Sequence, residues 1–241
     1  MPTAVSDAVG LRARGLTRWR PGVWRWRLPE WRGVVAGVAD RSTDQRMLAH
    51  LLIPRCGFVQ AQQVHGASTA CLFGPVNDEL VIPGCDALLT ATAGVGLAVR
   101  SADCLPIIEW DPVRRVTGAL HAGWRGLEKR LPMRAVALMA HAFGARPSEV
   151  WAAIGPAIRS CCYEVGPEFE PRFPAFVSVR EGRRMCDLIA CATHQLMQAG
   201  LPARRIIDSG VCAACDTKRW FSVRNEGDAT GRLFSFVMIE R

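Results

Sequence analysis

Residues 100–126, RSADCLPIIEWDPVRRVTGALHAGWRG, decide how this chain folds. LPIIEW (105–110) and VTGALH (116–121) are apolar runs of strand length, and residues 111–115, with Pro112, carry turn chemistry between them. Folding a hairpin about that turn places Cys104 nearly opposite His121. Directly opposed residues have Cβ atoms about 4.5–5.5 Å apart. Two chemistries fit such a pair. One zinc ion can bridge them, with Zn–S near 2.3 Å and Zn–N about 2.0–2.1 Å, or thiolate and imidazole can act together as a nucleophile.

Working outward, residues 33–39, 58–65, 68–73, 88–89, 95–100, 150–154, 206–207, 220–223 and 233–239 read as strands. Ser42 and Gln45 have capping-box spacing and open a helix through Leu52, stopped by Pro54. Two further helices are predicted at 127–143, where Pro132 limits the first turn, and at 184–199, ended by Gly200. Hairpins outnumber βαβ units, so the fold class is α+β, a mixed sandwich rather than a doubly wound parallel sheet. No linker or repeat divides the chain. It reads as one domain over 1–241, with residues 1–22 a loosely held leader ending at Pro21-Gly22.

The 241 residues are 49% hydrophobic and 22% charged, enough to bury a core. No apolar run approaches the roughly 18 residues of a membrane span, so no membrane partner is expected. The N-terminus lacks the apolar core of a signal peptide. Ten cysteines without an export signal read as reduced thiols, and the expected location is cytoplasmic. Cys56, Cys71, Cys85, Cys186 and Cys191 read as small core residues. Cys161-Cys162 and the lone Cys212-Ala-Ala-Cys215 are read as structural too, because a zinc site would need a second CxxC pair. The net charge of +8 favours anionic partners. In WRWRL (24–28) tryptophans and arginines alternate as on a strand, and no nucleic-acid motif accompanies them, so nucleic acid is not an expected partner.

His65 ends an apolar run beside Gly66, and with Cys104 and His121 it completes a His/Cys/His set. Three protein ligands with an open fourth position are the pattern of a catalytic zinc site, although spacing alone does not bring His65 to the hairpin. Asp103 either orients one of these histidines or caps its own turn. Gly123-Trp124-Arg125-Gly126 opens a helix, where backbone amides and Arg125 form a candidate cradle for phosphate or carboxylate.

QVHG (63–66), CDALLT (85–90), SADCLPI (101–107), HAGWRG (121–126), IGPAI (154–158), CYEVG (162–166) and TGR (230–232) occur in an order that resembles the multicopper polyphenol oxidase, or laccase-domain, family. Members of that family act as purine nucleoside phosphorylases, and a bacterial branch is the peptidoglycan editing factor. The resemblance covers residues 58–241, with an echo at 28–41. It implies a single-domain, four-layer α/β/β/α sandwich with mixed sheets and a zinc ion on His65, Cys104 and His121. It also implies phosphate-dependent cleavage of adenosine, inosine, guanosine and methylthioadenosine, with adenosine deaminase activity beside it. The small-molecule partners are thus a purine nucleoside and phosphate. Cys104 and Asp103 are the catalytic candidates, and Arg125 and Arg224 the substrate-binding ones.

The chain departs from the family pattern twice. A glycine-rich family segment is replaced by the short DRSTDQRML (40–48), and the family's SYRRD reads Ser222-Val-Arg-Asn-Glu226, with Asn225 for the second arginine. Three other functions stay open. They are a hydrolase removing a misincorporated amino acid from a UDP-MurNAc peptidoglycan precursor, a polyphenol oxidase with copper in place of zinc, and a non-enzymatic nucleotide- or RNA-binding member. Oligomeric state is not specified by the sequence.

Overall fold

A computed structural model describes residues 15–43 and 58–241. The first strands are β1 (Leu16–Arg20), β2 (Val23–Trp26), β3 (Val34–Ala39), β4 (Phe58–Ala61), β5 (Thr69–Leu72), β6 (Leu80–Ile82), β7 (Ala87–Thr90) and β8 (Gly96–Ser101). The hairpin follows as β9 (Leu105–Asp111) and β10 (Val116–Ala122). Helices α1 (Trp124–Glu128) and α2 (Leu131–Phe143) come next, then β11 (Trp151–Ile154), β12 (Val177–Arg180), β13 (Arg183–Cys186) and α3 (Leu188–Gln198). The chain continues through β14 (Ile206–Asp208), the single turn α4 (Val223–Glu226) and β15 (Leu233–Ile239).

Two mixed sheets form the body. One has the order β1-β2-β3-β15-β8-β4-β6, the other β14-β11-β9-β10-β7-β5, and β12-β13 is a separate ribbon. Parallel pairs (β4 with β6 and β8, β5 with β7, β11 with β14) sit among antiparallel ones. The class is α+β, a layered sandwich. Strand periodicity assigns the layers. Ile108, Trp110 and Ala119 face Val59, Leu97, Val99 and Val237 between the sheets. Leu105, Ile107 and Leu120 face the opposite way, against Val136 and Met139 of α2 and Ala192 and Leu196 of α3. The helix expected at 42–52 lies almost entirely outside the described residues, as does Cys56.

The hairpin sits at the centre of its sheet, with a register displaced from expectation. Asp111 belongs to β9, pairs with Val116, and its Oδ1 accepts from the N–H groups of Val113 and Arg114, while Arg115 takes φ 52°. This Asx turn tightens the connection to four residues. His121 therefore pairs with Pro106 and Ala122 with Leu105, so one step further Cys104 faces Gly123.

Residues 16–22 are a hairpin arm rather than part of a leader. β1 pairs with β2, with Arg20 opposite Val23, and Pro21-Gly22 is its two-residue turn with Gly22 at φ 70°. The expected helix at 127–143 is divided into α1 and α2 by Arg130, which is left-handed at φ 59°, and Pro132 sits harmlessly in the first turn of α2. The helix expected from 184 starts at Leu188, because Asp187 caps it by accepting from the Ala190 N–H and residues 183–186 pair as a ribbon. Residues 220–223 are not a strand, since Ser222 caps α4 instead.

Candidate metal centre and pocket

His121 lies two residues beyond Ala119 on the inter-sheet face of β10, where the strands run out. Its ring meets that of His65 edge-on, with centroids 4.9 Å apart. Donor atoms of His65, Cys104 and His121 all lie within 4.8 Å of one another. The structure thus brings together the three residues that sequence spacing alone does not.

Asp86, at the entrance to β7, makes this possible. Its Oδ1 accepts from the His65 N–H at 3.0 Å and contacts His121 Nδ1 at 2.9 Å. Its Oδ2 accepts from the N–H groups of Gly66 at 2.7 Å and Val64 at 3.2 Å. One fully buried carboxylate therefore holds both the loop carrying His65 and the imidazole of His121. His65 takes φ 55°, a left-handed conformation costing roughly 1–2 kcal/mol, which the hydrogen bonds from its neighbours' backbone offset. With Nδ1 on Asp86, the other ring nitrogen of His121 is left for a ligand, the usual arrangement of a metal-binding histidine.

Room for the sulfur comes from Gly123. A Cβ there would lie 2.9 Å from Cys104 Sγ and 3.4 Å from the His65 ring. Its φ of −76° is accessible to any residue, so the requirement is space rather than backbone freedom. Burial pushes the Cys104 thiol up, but hydrogen bonds from His121 and His65 outweigh it and bring it down to about 6. For His121 burial works downward, and Asp86 and then Cys104 raise it to about 9. The two imidazoles thus favour the thiolate of Cys104, and thiolate is the form that binds metal. The donor chemistry and the cradle fit a zinc-class ion.

It is Asp86 that holds the His121 ring, and Asp103 makes no hydrogen bond to either histidine. Held at φ 89°, its Oδ2 accepts the Arg224 backbone N–H at 2.7 Å, while its buried Oδ1 has no hydrogen-bond partner. The centre opens on a pocket of about 990 Å³, within the range of roughly 300–1,000 Å³ usual for small-molecule sites. Arg100, Arg125, Arg224 and Arg232 line it, against the carboxylates of Asp103 and Asp228. Arg125 stacks over the Trp124 ring at 4.3 Å and pairs with no carboxylate among the described residues. Arg224 lies over Tyr163 and donates to the carbonyls of Glu164 at 2.8 Å and Cys162 at 3.4 Å. The expected helix-terminal cradle is reduced to α1, five residues long with no side-chain cap. The positive charge at this end of the pocket therefore comes from guanidinium groups.

Sequence reasoning missed Asp86, Arg100 and Arg232. A signal existed for Asp86: an acid leading directly into the fully buried ALLT needs several donors to be buried there.

The family model for "Multi-copper polyphenol oxidoreductase laccase" matches residues 38–240. The chain belongs to this laccase family. Among relatives of this laccase-family chain, a Geobacillus stearothermophilus protein named purine nucleoside phosphorylase YlmD is 33% identical over 220 residues, covering 83% of this chain and 80% of the relative. A protein from an unknown prokaryotic organism, named adenosine deaminase RL5, is 35% identical over 170 residues, 67% of this chain and 64% of its own length. The crystal structure of YlmD from Geobacillus stearothermophilus superposes with a TM-score of 0.85 at 27% identity, covering 94% of this laccase-family chain and 99% of that one.

Proposed function

We propose that this laccase-family chain is a zinc-dependent, cytoplasmic purine nucleoside phosphorylase, acting on adenosine and related nucleosides and also deaminating adenosine. The observation that carries this reading is a three-donor cluster, His65, Cys104 and His121, at the floor of a pocket with four arginines on its walls. Family membership and relatives named for phosphorolysis and deamination support it.

Zinc held by His65, Cys104 and His121 would supply Lewis acidity toward the substrate. The remaining work falls to side chains. Arg125 and Arg224 hold phosphate beside the ribose and stabilise the charge that builds up as the glycosidic bond breaks. A phosphate oxygen forms the new bond to C1′ as the bond from C1′ to the purine nitrogen breaks. The electron pair leaves with the base, and the products are ribose 1-phosphate and, once protonated, the free purine. Asp103, which lines the pocket beside Cys104, is the carboxylate we assign to exchange that proton. Asp86 keeps His121 oriented throughout.

Copper is the less fitting occupant. Four-electron reduction of oxygen requires further copper centres, and the other donor cluster among the described residues consists of cysteines alone. Incubating the protein with adenosine, with and without phosphate, and resolving adenine from inosine tests the proposal. Phosphate-dependent adenine, lost in His65→Ala and His121→Ala, is expected. Inosine alone would leave deamination as the activity. No product from zinc-loaded protein would overturn both and favour the peptidoglycan-precursor hydrolase.

A further inference from the structure

Cys161-Cys162 and Cys212-Ala-Ala-Cys215 lie about 50 residues apart in sequence, yet the fold places all four sulfurs within 4.8 Å of one another. β11 and β14 run parallel, so the loops leaving their ends emerge side by side. The pairing continues beyond them as an isolated bridge between Ala157 and Cys212. Arg159 locks the two loops together by donating to both oxygens of Asp208, at 2.9 and 2.7 Å. The adjacent pair thereby supplies what the lone CxxC lacks.

We propose that Cys161, Cys162, Cys212 and Cys215 form a second metal site, a tetrathiolate that takes one tetrahedral zinc ion. Zn–S bonds of about 2.3 Å in a tetrahedron put neighbouring sulfurs about 3.8 Å apart. The measured separations are 3.8 Å for Cys161 to Cys162, 3.6 Å for Cys161 to Cys215 and 3.3 Å for Cys162 to Cys215. These, with the Cys212 sulfur within 4.8 Å of the other three, fit four thiolates on one ion. An iron–sulfur cluster divides its thiolates among several irons and needs them further apart. All four positions are filled by protein, the mark of a structural rather than a catalytic ion.

The site also has something to hold. The Cys162 carbonyl accepts from Arg224, and the Ala214 carbonyl, between the two CxxC cysteines, accepts from Asn225 Nδ2 at 2.5 Å. An ion fixing both loops thus braces the segment that carries Arg224 into the pocket. Asn225, which departs from the family arginine, is part of that brace.

Zinc and iron content would be measured in the reduced wild-type chain and in His121→Ala, Cys212→Ser and the double variant. Two zinc ions per wild-type chain, one in each single variant and none in the double variant are expected. Cobalt-loaded His121→Ala should show the thiolate-to-metal charge-transfer and intense visible bands of a tetrahedral sulfur site. Differential alkylation of His121→Ala should find the four cysteines protected with metal and reactive after chelation, which needs no cysteine variant to fold. A His121→Ala chain with no metal and four reactive cysteines would overturn the proposal. So would a disulfide among the four that leaves the metal count unchanged, or iron in place of zinc.

Discussion

The two sulfur-bearing clusters of this chain differ in what surrounds the donors. At His65, Cys104 and His121 there are three donors, two of them nitrogen, at the floor of an open pocket lined by arginines. At Cys161, Cys162, Cys212 and Cys215 there are four donors, all of them sulfur and all within 4.8 Å of one another. Donor number separates a set that leaves one position of a tetrahedral ion for substrate from one that can fill all four. The support differs as well. Asp86 positions the first cluster through four hydrogen bonds, whereas the parallel exit of β11 and β14 positions the second.

The contrast is broken most severely at His121. His121→Ala should lower nucleoside cleavage by more than about 100-fold, beyond the 10–100-fold typical of an outer partner's loss, while the thiolate cluster keeps its metal. Steady-state kinetics with metal analysis on one preparation check both halves. Asp86→Asn should cost about 10–100-fold in zinc affinity or activity, because His121 loses its anchor and the 64–66 loop its acceptor. A zinc-competition titration would show it. An unchanged affinity would mean that the loop is held by other contacts.

Gly123→Ala tests whether empty space matters as much as donors. Overpacking against Cys104 Sγ should cost about 1–3 kcal/mol, seen as weaker zinc binding with the thiolate cluster unaffected. Arg125→Ala should raise the phosphate KM about tenfold, the loss of one charge-assisted contact, and leave phosphate-independent deamination unchanged.

The smallest effect concerns a second buried carboxylate. Asp86 is fully partnered, and its pKa is lowered because hydrogen bonds from His121 and Gly66 outweigh burial. Glu109, on β9, is equally buried, has neither side-chain oxygen hydrogen-bonded, and is pushed by burial up to about 8. A carboxyl raised in the folded state retains a proton that the unfolded chain releases, so its contribution is present below about pH 4.5 and is lost as pH rises toward 8. Glu109→Gln should therefore flatten the fall of stability with pH across that window, which denaturant melts would resolve.

How far the sequence could be read follows the range of the contacts involved. The central hairpin was legible because apolar alternation and turn residues are local signals. Its register was not, because Asp111 spends its side chain on the turn and joins the strand, which moves the residue facing Cys104 to Gly123. Cys104 and His121 could be paired from the hairpin alone. His65 needed Asp86, 21 residues away, to bring it there, and only the family resemblance supplied that link. The four cysteines were visible as residue types, but their convergence depends on two strands more than 50 residues apart being parallel neighbours. Residues 16–20 were masked by arginines and tryptophans that read as a leader and pack as an edge strand.

The most direct single measurement is phosphorus NMR of zinc-loaded protein with adenosine and inorganic phosphate, run beside His121→Ala. A ribose 1-phosphate resonance growing in step with adenine release, and absent from the variant, is the expected result. Phosphate left unconsumed while adenosine is converted to inosine, or left untouched altogether, would contradict phosphorolysis at this centre.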